Sequence, residues 1–170
     1  FDLLADRERP NRITATDLIA ITMLSVAVPP GAAAWLLDPT GARLVTHLLE
    51  QIDPAPIWEQ PETVVADPDG PLTRLWSLLP APTAQLPATT ADNGIGPVIA
   101  GKLLAAKRPH LVPIYDRYVA DALDAPDHSW WQCWSKAMTN PITRKRIDQI
   151  RSTVATEQQI AEALSGRRVF

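Results

Sequence analysis

Two glycines flanking an isoleucine directly ahead of a helical pattern make one segment stand out for chemistry: Asn93-Gly94-Ile95-Gly96-Pro97-Val98-Ile99-Ala100-Gly101-Lys102-Leu103-Leu104. Neither glycine carries a Cβ, so the backbone of such a turn can come close to a ligand. The helix behind it offers first-turn amides and a positive dipole end, which suit a phosphate oxygen. Lys102, Lys107 and Arg108 follow and add charge that could reach phosphates. The competing reading is a tight turn that binds nothing, because short glycine patterns recur in many folds.

Asp116 lies beyond the turn, in Arg108-Pro109-x-x-Val112-Pro113-Ile114-x-Asp116-x-x-Val119. A carboxylate there could stabilise an oxocarbenium-like sugar or activate water in N-glycosidic bond cleavage. It could equally serve as a helix N-cap, a position aspartate favours. Trp130, Trp131 and Trp134 could stack bases. Their spacing puts Trp130 and Trp134 on one helical face with Trp131 a step round, so the pair is expected in the core and at most one ring outside. Arg144-Lys145-Arg146 with Arg151 is the densest basic run, either a phosphate contact or a solvated helix face. His47, His110 and His128 are too scattered for a zinc pattern, and Cys133 is the only cysteine, so no metal, iron–sulfur cluster or other cofactor is expected.

The elements that must position these residues are helices. Thr14 or Thr16 caps a run from Asp17 to Val26 that reads as a buried helix. Pro29-Pro30-Gly31 stops it, and a short helix over Ala32–Leu37 follows. Asp38 with Pro39 opens another, carrying Leu44, Val45, Leu48, Leu49 and Ile52 at helical spacing. Prolines confine residues 53–71 to short turns, after which Leu72–Leu79 is a brief helix. Residues 80–93 form a Pro-rich internal loop. Further helices are expected over Pro97–Lys107, from Tyr115 or Asp116 to Leu123, over Pro126–Met138, and from Asn140-Pro141 to Arg151. Thr156-Glu157-Gln158-Gln159 has the form of a capping box for a last one. No segment alternates with period two, so the reading is a compact all-α domain spanning 1–170, with about seven to nine short helices.

Composition fits that reading: 46% hydrophobic and 21% charged residues are enough for one core in 170 residues. The longest apolar run, Leu18 to Pro30, is shorter than the roughly 20 residues of a membrane span. No signal pattern leads the chain, so a cytoplasmic setting and no membrane are expected. Residues 1–100 carry 5 basic and 12 acidic groups, and residues 101–170 carry 11 and 7. That asymmetry points an anionic partner toward the C-terminal part.

Gly94-Ile95-Gly96-x-x-x-Ala100 resembles the hairpin of helix-hairpin-helix DNA-binding proteins. The Asp116 segment is similar to the one that carries the catalytic aspartate of helix-hairpin-helix DNA glycosylases, so residues 94–123 read as hairpin-like. Most of the chain also looks like an uncharacterised actinobacterial family with Gly-Ile-Gly-Pro-Val, Ala-Gly-Lys-Leu-Leu, Lys-Arg-Pro and Pro-x-Tyr-Asp-Arg. The first resemblance implies DNA contacts at Gly94, Ile95, Gly96, Val98, Lys102, Lys107 and Arg108. It departs from bifunctional glycosylases at Val98, where they place a Schiff-base lysine. The expectation is therefore a non-catalytic nucleic-acid binder. The alternatives are a monofunctional DNA glycosylase using Asp116, and a protein-interaction module or toxin–antitoxin partner without nucleic acid.

Overall fold

The computed structural model describes residues 1–79, 94–122, 124–125 and 130–157. Among them all the regular secondary structure is helical, without strands. The helices are α1 (Ala15–Ala20), a 3-10 turn (Ile21–Leu24), α2 (Pro30–Leu37), α3 (Pro39–Glu50), α4 (Glu62–Ala66), α5 (Pro71–Leu78), α6 (Pro97–Lys107), α7 (Arg117–Ala122), α8 (Trp130–Thr139) and α9 (Pro141–Glu157).

Proline starts most of these helices, because its fixed φ suits the first turn and its missing N–H is not needed there. Asp38 completes the start of α3 by accepting the Thr40 N–H at 2.8 Å. Asn140 does the same for α9, accepting from Ile142 N at 2.9 Å. At α1, the capping box of Thr14 and Asp17 is present.

α6 sits at the centre. Ala100, Gly101, Leu103, Leu104, Ala105, Ala106 and Lys107 are all buried, so the helix is covered on nearly every side. α5, α1 and the 3-10 turn pack on it; α2 packs on α3, α3 on α5, α4 on α5 and α8, and α8 on α9. One apolar cluster joins Leu36, Leu49, Ile57, Leu75, Leu103, Leu111, Trp130 and Met138. Each large aliphatic side chain buried there contributes about 1.5–3 kcal/mol. A backbone hydrogen bond from Ile57 N to His110 O, 2.9 Å, ties the proline-rich stretch before α4 to the loop after α6.

Three sequence expectations need correction. The run from Asp17 to Val26 is not a helix buried all round: it breaks into α1 and a 3-10 turn that ends with Ser25 in the left-handed region, and Ile19 and Met23 face outward. The apolar side chains point out because the buried face is taken by Asp17, Ala20 and Ile21. The helix from Asn140 does not stop at Arg151 but continues to Glu157, so Thr156 opens no new helix. The expected Pro30 boundary also moves, since Pro30 is the first residue of α2 instead of part of a stop. The loop over 80–93 and the start of the Pro126 helix lie outside the described residues.

Candidate functional site

The turn ahead of α6 is built from a left-handed glycine. Gly94 has φ +74°, and a Cβ there would come within 2.6 Å of Pro29 Cγ. Its missing side chain therefore serves the fold, letting the turn press on Pro29. Ile95 is buried and anchors the turn in the core, so its side chain faces the interior and only its backbone belongs to the turn. Gly96 is different. It is the N-cap residue of α6, no side chain caps the helix, and a Cβ added there would meet nothing within 4 Å. Val98, in the first turn, is 39% exposed. Among the described residues nothing covers the amide end of α6 at Gly96.

The cationic residues expected beside this turn divide sharply. Lys102 is half-buried, and its Nζ donates to Leu24 O at 2.7 Å. Burial holds its pKa below the usual lysine value, partly offset by the nearby Asp116 charge. Lys107 and Arg108 lie at the opposite end of α6, in the interior. Lys107 Nζ pairs with Asp17 Oδ2 at 2.5 Å and donates to Asp6 O at 2.9 Å and Arg9 O at 3.2 Å. Burial lowers its pKa against the raising effect of Asp17 and Asp6.

Arg108 is 2% exposed and spends all five N–H donors on the protein. Nε donates to Ile52 O at 3.1 Å; Nη1 to Pro10 O at 2.7 Å and Lys107 O at 3.0 Å; Nη2 to Asn11 Oδ1 at 2.7 Å and to Leu49 O. The phosphate role read from sequence for Lys107 and Arg108 is corrected here. Every donor of both side chains is already engaged, and a phosphate could reach neither without unfolding what they hold.

Asp116 is exposed, and its Oδ1 accepts from Tyr118 N at 2.9 Å and Val119 N at 3.1 Å. It therefore caps α7, as one of its two sequence readings had it.

Tyr115, its neighbour, lines a cleft of about 380 Å³ with Trp76, Trp130, Trp131 and Pro97, closed by α4 residues such as Val65. Its aromatic rings meet edge to face, Trp76 and Trp131 with centroids 4.9 Å apart and Tyr115 and Trp130 at 5.5 Å, and Trp130 meets Trp134, outside the cleft, at 5.7 Å. Such edge-to-face contacts hold the rings in fixed orientations. Trp130 and Trp134 are buried and Trp131 is half-buried, as their spacing predicts. Gly101 lets Trp76 lie against α6: a Cβ there would stand 3.3 Å from the Trp76 ring. Thr73 and Gln132 add the cleft's hydrogen-bonding groups. Pro97 joins the two features, since it is the residue after the turn and part of the cleft wall.

Sequence reasoning found the turn and the tryptophans but not their union. Trp76 and Tyr115 are far from Trp130 in sequence, and the one signal was Gly101, a glycine inside a helix with no capping role. Arg144, Lys145 and Arg146 lie on α9, with Lys145 and Arg146 exposed. Among the described residues no group of His, Cys, Asp and Glu could hold a metal ion, and no helix is long and apolar enough to cross a membrane.

No curated protein and no solved structure matches the chain. One family model does, over residues 1–165, and the chain accordingly belongs to DUF6308, a family of unknown function.

Proposed function

We propose that this protein binds nucleic acid without cleaving it, holding a backbone phosphate at the amide end of α6 and an unstacked base in the aromatic cleft beside it. The observation that carries the reading is Pro97, which places an uncapped helix N-terminus next to a cleft of four aromatic side chains. A phosphate suits the first, through amides and dipole. A base suits the second, because every base has a π-face and the volume is that of a small-ligand pocket. Gly96, Val98 and Lys102 are the residues of the expected set nearest the phosphate; the helix-hairpin-helix resemblance supports the same placement.

The test is fluorescence anisotropy of a labelled single strand against a duplex of the same sequence. The cleft takes only an unstacked base, so the single strand binds more tightly. Trp131→Ala removes one stacking surface and lowers affinity by about 1–3 kcal/mol. Gly96→Glu puts a carboxylate at the amide end, in space that no described residue occupies, and weakens binding while leaving the fold intact. Unchanged affinity in both variants overturns the proposal.

The protein-interaction reading keeps one observation of its own. A groove of about 580 Å³ between α7, α8 and α9 is lined by Val119, Trp134, Ala137 and Ile147, and Ile142 at its edge is 78% exposed.

A further inference from the structure

At the far end of α6 from the turn, the segment of residues 9–12 and one side of α3 enclose an open groove of about 920 Å³. Three guanidinium groups line it, Arg9, Arg12 and Arg43, with His47 and a single carboxylate, Glu50. Arg9 is partly neutralised by Asp6, 3.8 Å away. Arg12 and Arg43 are exposed and form no ion pair among the described residues. Arg43 is steadied by its own Nε, which donates to Pro39 O at 3.1 Å and leaves the two terminal nitrogens free to point elsewhere.

The walls of this groove are fixed from behind. Arg108, in the interior, grips Pro10 O and Asn11 Oδ1 on one wall and the carbonyls of Leu49 and Ile52, at and beyond the end of α3, on the other. The spacing of the two walls is thus set by one buried side chain, and the arginines stand on a frame that need not rearrange to receive a ligand.

We infer that this groove is an anion site for a phosphate group, held by Arg12 and Arg43 with Arg9 at its edge. Several guanidinium forks around one groove suit a tetrahedral oxyanion, which accepts bonds in several directions and carries up to two charges. A carboxylate occupies one fork and leaves the others uncompensated. The groove is separate from the aromatic cleft, with which it shares no lining residue. The inference does not depend on the nucleic-acid reading.

The phosphate could belong to a small phosphorylated molecule or to a nucleic-acid strand, and two probes separate these. The Nε–Hε resonances of Arg12 and Arg43 are followed in the full chain as inorganic pyrophosphate is added, with sodium chloride at matched ionic strength as control. A short oligothymidine forms the second arm. The expected result is a saturable shift of both arginines that chloride does not reproduce. In the other readout, retention of the probe by the double variant Arg12→Glu, Arg43→Glu falls about a hundredfold, two charge-assisted contacts at roughly tenfold each. Saturation by pyrophosphate assigns the site to a free phosphate compound; saturation by oligothymidine alone assigns it to a strand. Shifts no larger than those in chloride for both probes, or undiminished binding in the double variant, overturn the inference. Trp131→Ala leaves the pyrophosphate arm unchanged, so a failure of the aromatic cleft cannot be mistaken for a failure of the groove.

Discussion

Lys107 meets Asp17 at 2.5 Å inside the protein, where the two side chains keep 1% and 0% of their exposure. The carboxylate is also fed by Thr14 N at 2.8 Å, Thr14 Oγ1 at 3.0 Å and Asp6 N at 2.9 Å. The ammonium in turn holds the carbonyls of Asp6 and Arg9. Two charges removed from water are tolerable only because each is fully bonded. Their effect is to fasten the N-terminal segment to the C-terminal end of the central helix.

Breaking this pair leaves a buried charge alone. Lys107→Met is expected to destabilise the fold by about 3–5 kcal/mol, read as a lower urea midpoint with little change of slope. Asp17→Asn loses the ion pair but keeps one oxygen for the amides of Thr14 or Asp6. Asp17→Leu loses every acceptor and is the more damaging of the two. A midpoint for Lys107→Met within error of the wild type would mean that the pair does not hold the segment.

Acid should loosen the same corner. Burial alone would raise the Asp6 carboxyl, but the Arg9 backbone N–H and the Lys107 charge more than offset it, so its folded pKa lies below the ordinary 3.8. A carboxylate with a depressed folded pKa stabilises the fold above its unfolded value, and that contribution disappears as pH falls through the folded one. The stability difference between wild type and Asp6→Asn is therefore constant from neutral pH down to about 5 and shrinks below 3.8. Urea titrations at stepped pH measure it, and a difference that grows toward acid would contradict the assignment.

The two glycines of the turn should separate in a stability assay. Gly94→Ala forces a side chain into the left-handed region and against Pro29, at about 1–3 kcal/mol. Gly96→Ala meets open space and extended backbone, so thermal unfolding should hardly change. Equal losses at both positions would show that the turn is not the one described.

What the sequence reveals depends on whether the cause is local. The start of α3 at Asp38-Pro39 and the whole of α6 from Pro97 to Lys107 are legible because cap and first-turn proline act within a few residues. The capping role of Asp116 is legible for the same reason. The face of α1 is not. Its apolar run suggests complete burial, yet Asp17 turns inward to a lysine at the other end of the chain's core, and Ile19 turns out. The roles of Lys107 and Arg108 fail in the same way, since a sequence shows that a side chain is charged and not what receives its protons. Charge counted by halves misleads too. The first hundred residues are acidic overall, but folding gathers Arg9, Arg12 and Arg43 into one groove while two cations of the basic part go inside.

That redistribution sets the salt dependence of nucleic-acid binding. Had Lys102, Lys107 and Arg108 all reached phosphates, affinity would fall with salt at a logarithmic slope of about −2 to −3. With Lys107 and Arg108 spent on the interior, only the amide end of α6 and Lys102 remain at the turn, enough for one or two phosphates. For a single strand at roughly −0.7 per phosphate, the expected slope is about −0.7 to −1.4. The measurement uses Arg12→Gln with Arg43→Gln, so that the groove at the far end of α6 adds nothing, and follows anisotropy of a labelled single strand across a salt series. Lys102→Gln should then flatten the slope toward the lower value while Trp131→Ala shifts affinity and leaves the slope alone, because stacking releases no counterions. A slope steeper than −2 in that background would require cations that the described residues do not offer at the turn, and would move the binding surface elsewhere, with the exposed Lys145 and Arg146 of α9 the first to be changed.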